Sequence, residues 1–364
     1  MNTIVYCLIT LACASLIAGQ NTFKSVSVVY RNTNYSPSNV NLYVDSTRRR
    51  LVVSNFAGPN VVRVVMDSNV ATVGQLLNAD TQGGGVIDAN GNYFVYSCFN
   101  GKAYFNSYDV TSMTSRFNSL ANGVSCAEIP NCMTLDSSSR TAIFTLASSN
   151  TVGLVNIDTG AFVNTNVASL NDGKFSCTFN NLNRTAYFAG SQGSITAVTL
   201  TGANGTQINN IPVDGTFSQI KYTTPILSYD NVNQELYLTA KGNETVITRY
   251  SPSTKRWSAV RNQLGEPNGI LVDSTFNTAY AFTDRFTLTT PDANFTQLQS
   301  SPINAWSLKG VGYTDVSTAT GTTSAYTLVN DIAQVVLLSP TSSATTHSFV
   351  IGIIVSLFVT LFVL

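Results

Sequence analysis

Short runs of alternating hydrophobic and polar residues recur along the whole chain, and each repeat has the same order of parts. In segment 42–67 an apolar run ends at Asp45, a polar turn follows, and a second β-rich run begins. Alternation with a period of two residues predicts half-buried strands, and polar clusters between the runs predict turns. We call the Asp or Asn that ends the first run of each repeat the strand-end residue. The strand-end residues are Asp45, Asp88, Asp136, Asn180, Asp230, Asp273 and Asp315.

The spacing of these strand-end residues predicts the architecture. Successive ones are 42 to 50 residues apart, which is the period of four-stranded propeller blades. The sequence therefore predicts an all-β protein with a single β-propeller of seven blades. Six blades are the alternative, because the repeats at Asp88 and Asp315 are the most irregular copies.

The two ends of the repeat region predict how the ring closes. The segment 22–31, TFKSVSVVYR, has the pattern of a strand but has no hairpin partner nearby. The last repeat ends with the apolar run 332–338 and is one strand short of a four-stranded blade. Pairing the N-terminal strand into this last blade would remove two exposed sheet edges, so we expect the propeller to close in this way.

Composition excludes several classes of function. Charged residues make up 10% of the chain and their formal net charge is zero. Without a basic surface, nucleic acid is not an expected partner. The only histidine, His347, lies beyond the repeats, so the repeats contain no imidazole for a Ser-His-Asp triad.

Both ends of the chain resemble targeting signals. Residues 1–19 contain an apolar run followed by small residues, which predicts a secretory signal peptide. The propeller is expected over residues 22–339, followed by an attachment linker, 340–348, and a hydrophobic tail, 349–364. That tail is short for a spanning helix and has no basic residues after it, so it favours a GPI signal over a single-pass membrane segment. The expected attachment residues are Ser342, Ser343 and Ala344.

Sequons and cysteines agree with secretion. Five Asn-x-Ser/Thr sequons predict N-glycosylation at Asn34, Asn183, Asn204, Asn243 and Asn294. Removal of the signal peptide leaves four cysteines, an even number that predicts disulfides in an oxidising compartment. They are Cys98, Cys126, Cys132 and Cys177. Three connectivities are open, and we favour Cys126 with Cys132, closing a small loop, and Cys98 with Cys177, joining neighbouring blades.

Two stretches carry a resemblance to known repeat families. The segment 265–284, GEPNGILVDSTFNTAYAFTD, is similar to the first strand of NHL-type propeller repeats. The first and third repeats, with LYVDSTRRRLVVSN and MTLDSSSRTAIFTLASSNTVGLVNIDTG, resemble YVTN-type surface-protein repeats. The resemblance implies a propeller and a tendency to bind other molecules, and it implies no particular activity.

A weaker resemblance points to a metal site. Pro267-Asn268-Gly269 is similar to the Pro-Asn-Gly turn with which propellers of the gluconolactonase and senescence-marker type help hold a divalent cation. Pro130-Asn131-Cys132 matches the first two positions of that turn in the third repeat. This resemblance implies that Asn131 and Asn268 could bind Ca²⁺, an ion that prefers oxygen ligands. We favour the interpretation that both residues simply form turns before a strand, so no cofactor is predicted, and Ca²⁺ binding is the alternative.

Three other motifs have simpler interpretations. The glycine run 83–85 lacks the helix and the Lys of a phosphate-binding loop, so it is interpreted as a turn that enters a strand. The basic cluster Arg48, Arg49 and Arg50 is interpreted as a solvated loop in preference to an anion site. Each strand-end residue could line a channel mouth, but we favour a role in capping its turn.

The sequence thus favours a non-enzymatic protein on the outer face of the plasma membrane. We expect a GPI-anchored, N-glycosylated propeller for recognition or adhesion, with an extracellular protein or glycan as the partner. The alternative is a secreted metal-dependent hydrolase of the lactonase or esterase type, with Asn131 and Asn268 as part of the metal site. A third interpretation is a structural coat component with no dissociable ligand.

Overall fold

The computed structural model describes most of the repeat region. The backbone is described for residues 23–31, 40–45, 48, 50–55, 58–65, 70–127, 132–146, 151–169, 176–189, 194–201, 205–212, 226–230, 233–241, 245–254, 256–262, 269–273, 278–282, 285–289, 297–302, 316–317, 324–329 and 334–340. Side chains are described for residues 43, 45, 48, 50–54, 58–65, 70–127, 132–146, 151–162, 176–189, 195–201, 227–230, 233–238, 249–254 and 256. Within these ranges the chain forms strands and turns, and no helix there could cross a membrane.

The N-terminal half of the described chain contains one single strand and three complete sheets. Strand β1 spans Phe23–Arg31. Sheet 1 contains β2 (Val40–Asp45), β3 (Arg50–Asn55), β4 (Asn60–Val65) and β5 (Val70–Gln75). Sheet 2 contains β6 (Thr81–Ile87), β7 (Asn92–Phe99), β8 (Lys102–Asp109) and β9 (Thr114–Ser125). Sheet 3 contains β10 (Met133–Asp136), β11 (Thr141–Leu146), β12 (Thr151–Asn156) and β13 (Phe162–Ser169).

The C-terminal half adds the remaining strands. Sheet 4 contains β14 (Ser176–Asn180), β15 (Thr185–Ala189), β16 (Ser194–Thr201) and β17 (Gly205–Pro212). Sheet 5 contains β18 (Ile226–Asp230), β19 (Glu235–Lys241), β20 (Thr245–Ser251) and β21 (Arg256–Asn262). Sheet 6 contains β22 (Gly269–Asp273), β23 (Thr278–Phe282), β24 (Arg285–Thr289) and β25 (Gln297–Pro302). Three further strands, β26 (Val316–Ser317), β27 (Ser324–Val329) and β28 (Gln334–Pro340), belong to sheet 7.

Sheet 7 brings together strands from both ends of the described chain. Its order is β26-β27-β28-β1, and β1 pairs with β28 in antiparallel register, with Ser27 opposite Leu337 and Val28 opposite Val336. In sheets 1 to 6 the four strands follow one another in chain order as antiparallel neighbours. The described residues therefore form seven four-stranded antiparallel sheets.

The sheets are neighbours in the order of the sequence. First strands of successive sheets lie side by side, so that β2 contacts β6, β6 contacts β10, and this continues through β14, β18 and β22. Further contacts join β22 to β26 and β2 to β27. In sheets 1 to 6 the first strand therefore lies beside the first strand of the neighbouring sheet, and we call it the inner strand. The fourth strand, at the opposite edge of each of these sheets, is the outer strand.

Hydrophobic side chains fill the space between adjacent sheets. On β11, Phe144 packs toward sheet 2, where its ring centroid lies 5.5 Å from that of Phe105. The preceding residue, Ile143, points the other way and packs with Phe188 and Val198 of sheet 4. Side chains alternate across a strand, so each central strand contributes to two hydrophobic layers. This explains why the strands are apolar on both faces.

The two ends of the sheets differ in their connections. At one end lie the strand-end residues of sheets 1 to 6, followed by turns such as 137–140 and 181–184; we call this end the turn face. Asp315 lies outside the described residues, and β26 begins after it. At the opposite end, the fourth strand of one sheet connects to the first strand of the next, and we call this the loop face. The loop-face connections 213–225 and 303–315 are the long ones.

The glycine run 83–85 lies inside strand β6, so its interpretation as a turn was wrong. A β-bulge separates Gln82 from Gly85 in the pairing with β7. A Cβ atom on Gly84 would lie 3.2 Å from the backbone nitrogen of Met133 in sheet 3, and one on Gly85 would lie 2.7 Å from the ring of Tyr93. Gly84 and Gly85 are therefore required because neighbouring strands approach them closely.

The four cysteines of the described residues form two disulfides, but the pairing that we favoured from the sequence was wrong. Cys98 pairs with Cys126 inside sheet 2, and Cys132 pairs with Cys177, joining sheets 3 and 4. The Cα–Cα distances are 5.5 and 5.8 Å, respectively. Cys126 and Cys132 are close in sequence, yet the first follows the outer strand β9 and the second precedes the inner strand β10. Their connection crosses from one sheet to the next, so each cysteine meets a different partner.

Candidate functional site

Most of the residues that we predicted to have a function lie outside the described ranges. This is true of the metal-site candidates Asn131 and Asn268. It is also true of four sequon residues and the three attachment residues: Asn34, Asn204, Asn243, Asn294, Ser342, Ser343 and Ala344. Asn183 is described, and it is exposed in the turn between β14 and β15. These assignments remain predictions.

The turn face is described in detail, and its strand-end residues cap their own turns. One carboxylate oxygen of Asp88 accepts hydrogen bonds from the backbone nitrogens of Asn90 and Asn92, at 2.9 and 2.7 Å. Asp136 likewise accepts bonds from the backbone of Ser138 and from the hydroxyl groups of Ser138 and Ser139. The capping role that we favoured from the sequence is confirmed for these residues. It holds each carboxylate in a fixed orientation.

The same carboxylates also bind an arginine from the next sheet. Arg140 of sheet 3 donates a hydrogen bond of 2.7 Å to Asp88 of sheet 2, and it makes a second ion pair of 2.6 Å with Asp158 of its own sheet. One sheet further on, Arg184 binds Asp136 through two nitrogens, at 2.9 and 2.7 Å. Hydrogen bonds between charged groups are stronger than neutral ones, and these two pairs join adjacent sheets at the turn face.

A neutral version of the same contact joins sheets 4 and 5. The Asn180 amide nitrogen donates to the Gln234 carbonyl oxygen at 3.2 Å and to the Tyr229 hydroxyl at 2.6 Å. The Tyr229 hydroxyl in turn donates to the same Gln234 oxygen at 3.0 Å. Tyr187 of sheet 4 stacks on Tyr229 with ring centroids 5.5 Å apart. Amides and phenols thus replace the acid and the arginine.

One backbone conformation supports all three contacts. Arg140, Arg184 and Gln234 each lie four residues after a strand-end residue and directly before the second strand, and their φ angles are +56°, +52° and +58°. This left-handed conformation is uncommon for residues other than glycine. Sequence reasoning missed these three residues. The available signal was a long hydrogen-bonding side chain at the same position in repeats 3, 4 and 5.

Sheet 1 contacts sheet 2 through arginines of its own turn. At the equivalent position sheet 2 has Gly91, and a Cβ atom there would lie 3.0 Å from the Arg48 guanidinium. Arg48 occupies that space, binds Asp45 of its own sheet and donates to the Ala89 carbonyl of sheet 2 at 2.9 Å. Arg50 donates to Thr111 of sheet 2 at 2.7 Å. The interpretation of this basic cluster as a solvated loop was wrong for Arg48 and Arg50, while Arg49 lies outside the described residues.

Amide side chains form a second network toward the loop face, between sheet 2 and the connection 76–80 that precedes it. Asn78 donates to Asn118 at 2.8 Å, Asn118 donates to Asn106 at 2.7 Å, and Asn106 donates to the hydroxyl of Ser97 at 2.6 Å. Asn106 and Ser97 are fully buried. Buried polar groups need such partners, so these asparagines serve packing within sheet 2 and against the connection before it.

Hydrogen bonding keeps the turn-face carboxylates ionised. Burial by itself would raise the pKa of Asp88, but hydrogen bonds from Asn92 and Arg140 lower it below the ordinary value of 3.8. The pKa of Asp136 is lowered in the same way, because bonds from Ser138, Ser139 and Arg184 outweigh its desolvation. Burial also raises the pKa of Tyr187 above the usual value for a phenol. Hence none of these three groups titrates near neutral pH.

This chemistry makes the described turn face a structural surface. Four of its carboxylates bind an arginine, those of Asp45, Asp88, Asp136 and Asp158. Within the described ranges there is no group of three or more His, Cys, Asp or Glu residues that could hold a metal ion. The loop face is different, because both disulfides lie there and the connection 127–131 is fixed at both ends, by Cys126 and Cys132. Asn131 belongs to this connection.

The fold defines the protein as a β-propeller. It is similar to the crystal structure of selenomethionine-substituted virginiamycin B lyase from Staphylococcus aureus, with a TM-score of 0.65. The two chains are 12% identical, and the match covers 86% of this chain and 99% of the other. At this low identity the similarity shows the fold alone. No protein-family model and no curated protein sequence matches the chain, so the NHL-type and YVTN-type repeats remain predictions.

Proposed function

We propose that the seven sheets are the blades of one closed ring, and that this ring presents a binding surface outside the cell. Two observations support closure: β1 pairs with β28 in sheet 7, and β27 of that sheet contacts β2 of sheet 1. A closed ring leaves no sheet interface exposed to water. It would give a rigid body on which loops can carry specificity.

The proposed location is the outer face of the plasma membrane. The signal peptide 1–19, the hydrophobic tail 349–364 and the attachment residues near Ser342 support a GPI-anchored form. The sequons support N-glycosylation, and exposure of Asn183 is compatible with it. Release of the protein from intact cells by a phosphatidylinositol-specific phospholipase tests the lipid attachment. Retention after this treatment would instead favour the single-pass alternative.

The proposed activity is recognition or adhesion through the loop face. The observation that carries this proposal is the difference between the two faces. Polar groups of the turn face are used in contacts between sheets, such as Asp88 with Arg140 and Asp136 with Arg184. The loop face has the long connections and the connection between Cys126 and Cys132 that disulfides hold at both ends. Neutral hydrogen-bonding residues there would suit an extracellular protein or a glycan.

A pair of blocking substitutions separates the two faces. Ala127 is exposed on the loop face and Ser137 is exposed on the turn face. In glycan-array and cell-binding assays we expect Ala127→Arg to abolish binding and Ser137→Arg to leave it unchanged. Equal loss in both variants would contradict a loop-face site. Absence of binding by the unsubstituted protein in both assays would contradict a recognition function.

A metal-dependent hydrolase is the second candidate. It is favoured by the position of Asn131 directly before Cys132, whose disulfide to Cys177 fixes the start of sheet 3 next to sheet 4. If Asn131 and Asn268 bind Ca²⁺, millimolar Ca²⁺ should raise the melting temperature, because a ligand that binds only the folded state stabilises it. Chelator should reverse the effect, and Asn268→Ala should abolish it. An unchanged melting temperature would exclude this candidate.

A further inference from the structure

Three Asn-Gly pairs within the described ranges differ sharply in their surroundings. They are Asn90-Gly91, Asn100-Gly101 and Asn122-Gly123. Asparagine is one of the chemically labile residues of proteins. When glycine follows it, the glycine nitrogen can attack the side-chain amide carbon, since no Cβ blocks the approach. How readily this occurs in a folded protein depends on the freedom of the turn.

Asn90-Gly91 is held tightly. The Asn90 backbone nitrogen donates to the Asp88 carboxylate at 2.9 Å, and the Gly91 nitrogen donates to the Asp88 carbonyl at 2.9 Å. Gly91 is buried, with the Arg48 side chain packed against it. The attacking nitrogen is therefore engaged in a hydrogen bond, and the neighbouring sheet restricts rotation of the peptide.

The turn at Asn100-Gly101 is more exposed and has fewer contacts than the turn at Asn90-Gly91. The pair forms the two-residue turn between β7 and β8, where Phe99 lies opposite Lys102. Both turn residues have positive φ angles, +50° and +73°, as a tight type I′ hairpin requires. Both are exposed, and no heavy atom lies within 4 Å of the position of a Cβ atom on Gly101. Exposed loop tips of this kind are where local motion is concentrated.

The third pair, Asn122-Gly123, is intermediate in how strongly its backbone is restrained. Asn122 and Gly123 are exposed, and Gly123 has a φ of +84° with no neighbour near its Cβ position. The pair lies inside strand β9, between the paired residues Leu120 and Ser125. Flanking strand pairs restrain its backbone more than the tip of a hairpin is restrained.

We propose that Asn100 is a site of spontaneous deamidation on the loop face. The Gly101 nitrogen forms a bond to the Asn100 side-chain carbon, and the amide nitrogen leaves as ammonia, which gives a five-membered succinimide. Water then opens the ring at either carbonyl, and the product is aspartate or isoaspartate. The conversion consumes one water, releases one ammonia and requires no oxidant, reductant or enzyme.

The product changes both the charge and the geometry of this hairpin. The Asn100 backbone nitrogen donates to the Asp80 carboxylate at 3.2 Å, so a new carboxylate at position 100 is placed beside an existing one. Isoaspartate in addition inserts a methylene group into the backbone of a two-residue turn. Both effects loosen the end of β7 next to Cys98.

Peptide mapping of the aged protein tests this proposal. Full-length protein is incubated at mildly alkaline pH, in the folded state and in denaturant, and the peptides containing Asn90 and Asn100 are followed by mass spectrometry with isoaspartate detection. In the folded protein we expect loss of the Asn100 amide while the Asn90 amide is retained. In denaturant both amides should be lost at similar rates. In Asn100→Gly, which keeps a turn with positive φ angles, the acidic product of this peptide should be absent.

Two outcomes would overturn the proposal. One is loss of the Asn90 amide as fast as that of Asn100 in the folded protein, because the contacts around Gly91 would then give no protection. The other is retention of the Asn100 amide in the folded protein to the same degree as that of Asn90, because the exposed turn would then be as protected as the buried one.

Discussion

The guanidinium group of Arg140 lies 2.7 Å from the carboxylate of Asp88 in the neighbouring sheet and 2.6 Å from that of Asp158 in its own. Asp88 is nearly fully buried, whereas the Asp158 side chain is 41% exposed. Exposed ion pairs contribute little to stability, so the bond to Asp88 is the important one. The Arg140 side chain therefore joins sheets 2 and 3 at the turn face.

Removal of this arginine should destabilise the protein. In Arg140→Ala the buried Asp88 loses its only charged partner among the described residues, and an incompletely satisfied buried group costs about 1–3 kcal/mol. Arg140→Asn separates the ion pair from the backbone effect, since asparagine tolerates a positive φ angle. We expect both variants to lose free energy of unfolding in urea titrations, and Lys102→Ala, an exposed control, to change it by less than about 0.5 kcal/mol. A wild-type value for both Arg140 variants would contradict the role of the pair.

The neutral contact between sheets 4 and 5 should be convertible into the charged type. Asn180→Asp alone places a carboxylate against the Gln234 carbonyl oxygen and should destabilise the protein, because a buried charge without a partner is costly. Adding Gln234→Arg recreates the arrangement of Asp136 with Arg184 and should restore stability. A double-mutant cycle should give a favourable coupling of about 0.5–3 kcal/mol. Simple additivity of the two changes would show that the sites are not coupled.

Acid should weaken the turn face. The pKa values of Asp88 and Asp136 are lowered in the folded state, so their ionised forms stabilise folding at pH values above the ordinary carboxyl pKa of 3.8. This stabilisation is lost as the pH falls through the lowered values. The melting temperature should therefore be nearly constant near neutrality and should fall steeply below about pH 4. In Asp88→Asn the melting temperature should fall less steeply with decreasing pH. An unchanged slope would mean that other carboxyl groups determine the acid sensitivity.

Non-reducing peptide mapping should recover two specific linkages, Cys98 with Cys126 and Cys132 with Cys177. The bridges span 28 and 45 residues of chain, and on a chain-entropy basis each contributes roughly 3–4 kcal/mol. We expect Cys132→Ala with Cys177→Ala to lower the melting temperature and to leave the first linkage intact. Recovery of a peptide that links Cys126 to Cys132 would contradict the pairing.

A buried glycine in sheet 3 gives a packing test. A Cβ atom on Gly153 would lie 2.6 Å from the ring of Phe144, a fully buried side chain. Overpacking of this kind costs typically about 1–3 kcal/mol, so Gly153→Ala should lower the free energy of unfolding by that amount. If Phe144→Leu is added, the ring is removed and part of the loss should be recovered. If the free energy of unfolding is not recovered, the added methyl group clashes with a residue other than Phe144.

The sequence was sufficient to predict most of the strands, although the glycine run 83–85 was wrongly interpreted as a turn. Strand-end residues such as Asp88 and Asp136 marked each repeat, because capping is a local interaction that a single turn encodes. The all-β, propeller class followed from their spacing. Contacts between sheets could not be derived in the same way, because Arg140 and Asp88 are far apart in the chain and nothing in either repeat alone indicates the other.

The disulfide pairing shows the same limit. Cys126 and Cys132 are close in sequence, and only the course of the chain from an outer strand to an inner one separates them. The neutral amide contact of Asn180 with Gln234 was equally hidden, since its residue types differ from those of the charged pairs. Local chemistry was therefore predictable, while partners brought together by the order of the sheets were not.

The disulfides and the ion pairs lie at opposite ends of the sheets, and the two ends therefore fail under different conditions. Strong acid, at a pH below the lowered pKa values of Asp88 and Asp136, weakens one end but leaves the disulfides unchanged. A reducing compartment cleaves the disulfides at the other end and leaves the ion pairs unchanged. Near neutral pH and without a reductant, both ends hold together.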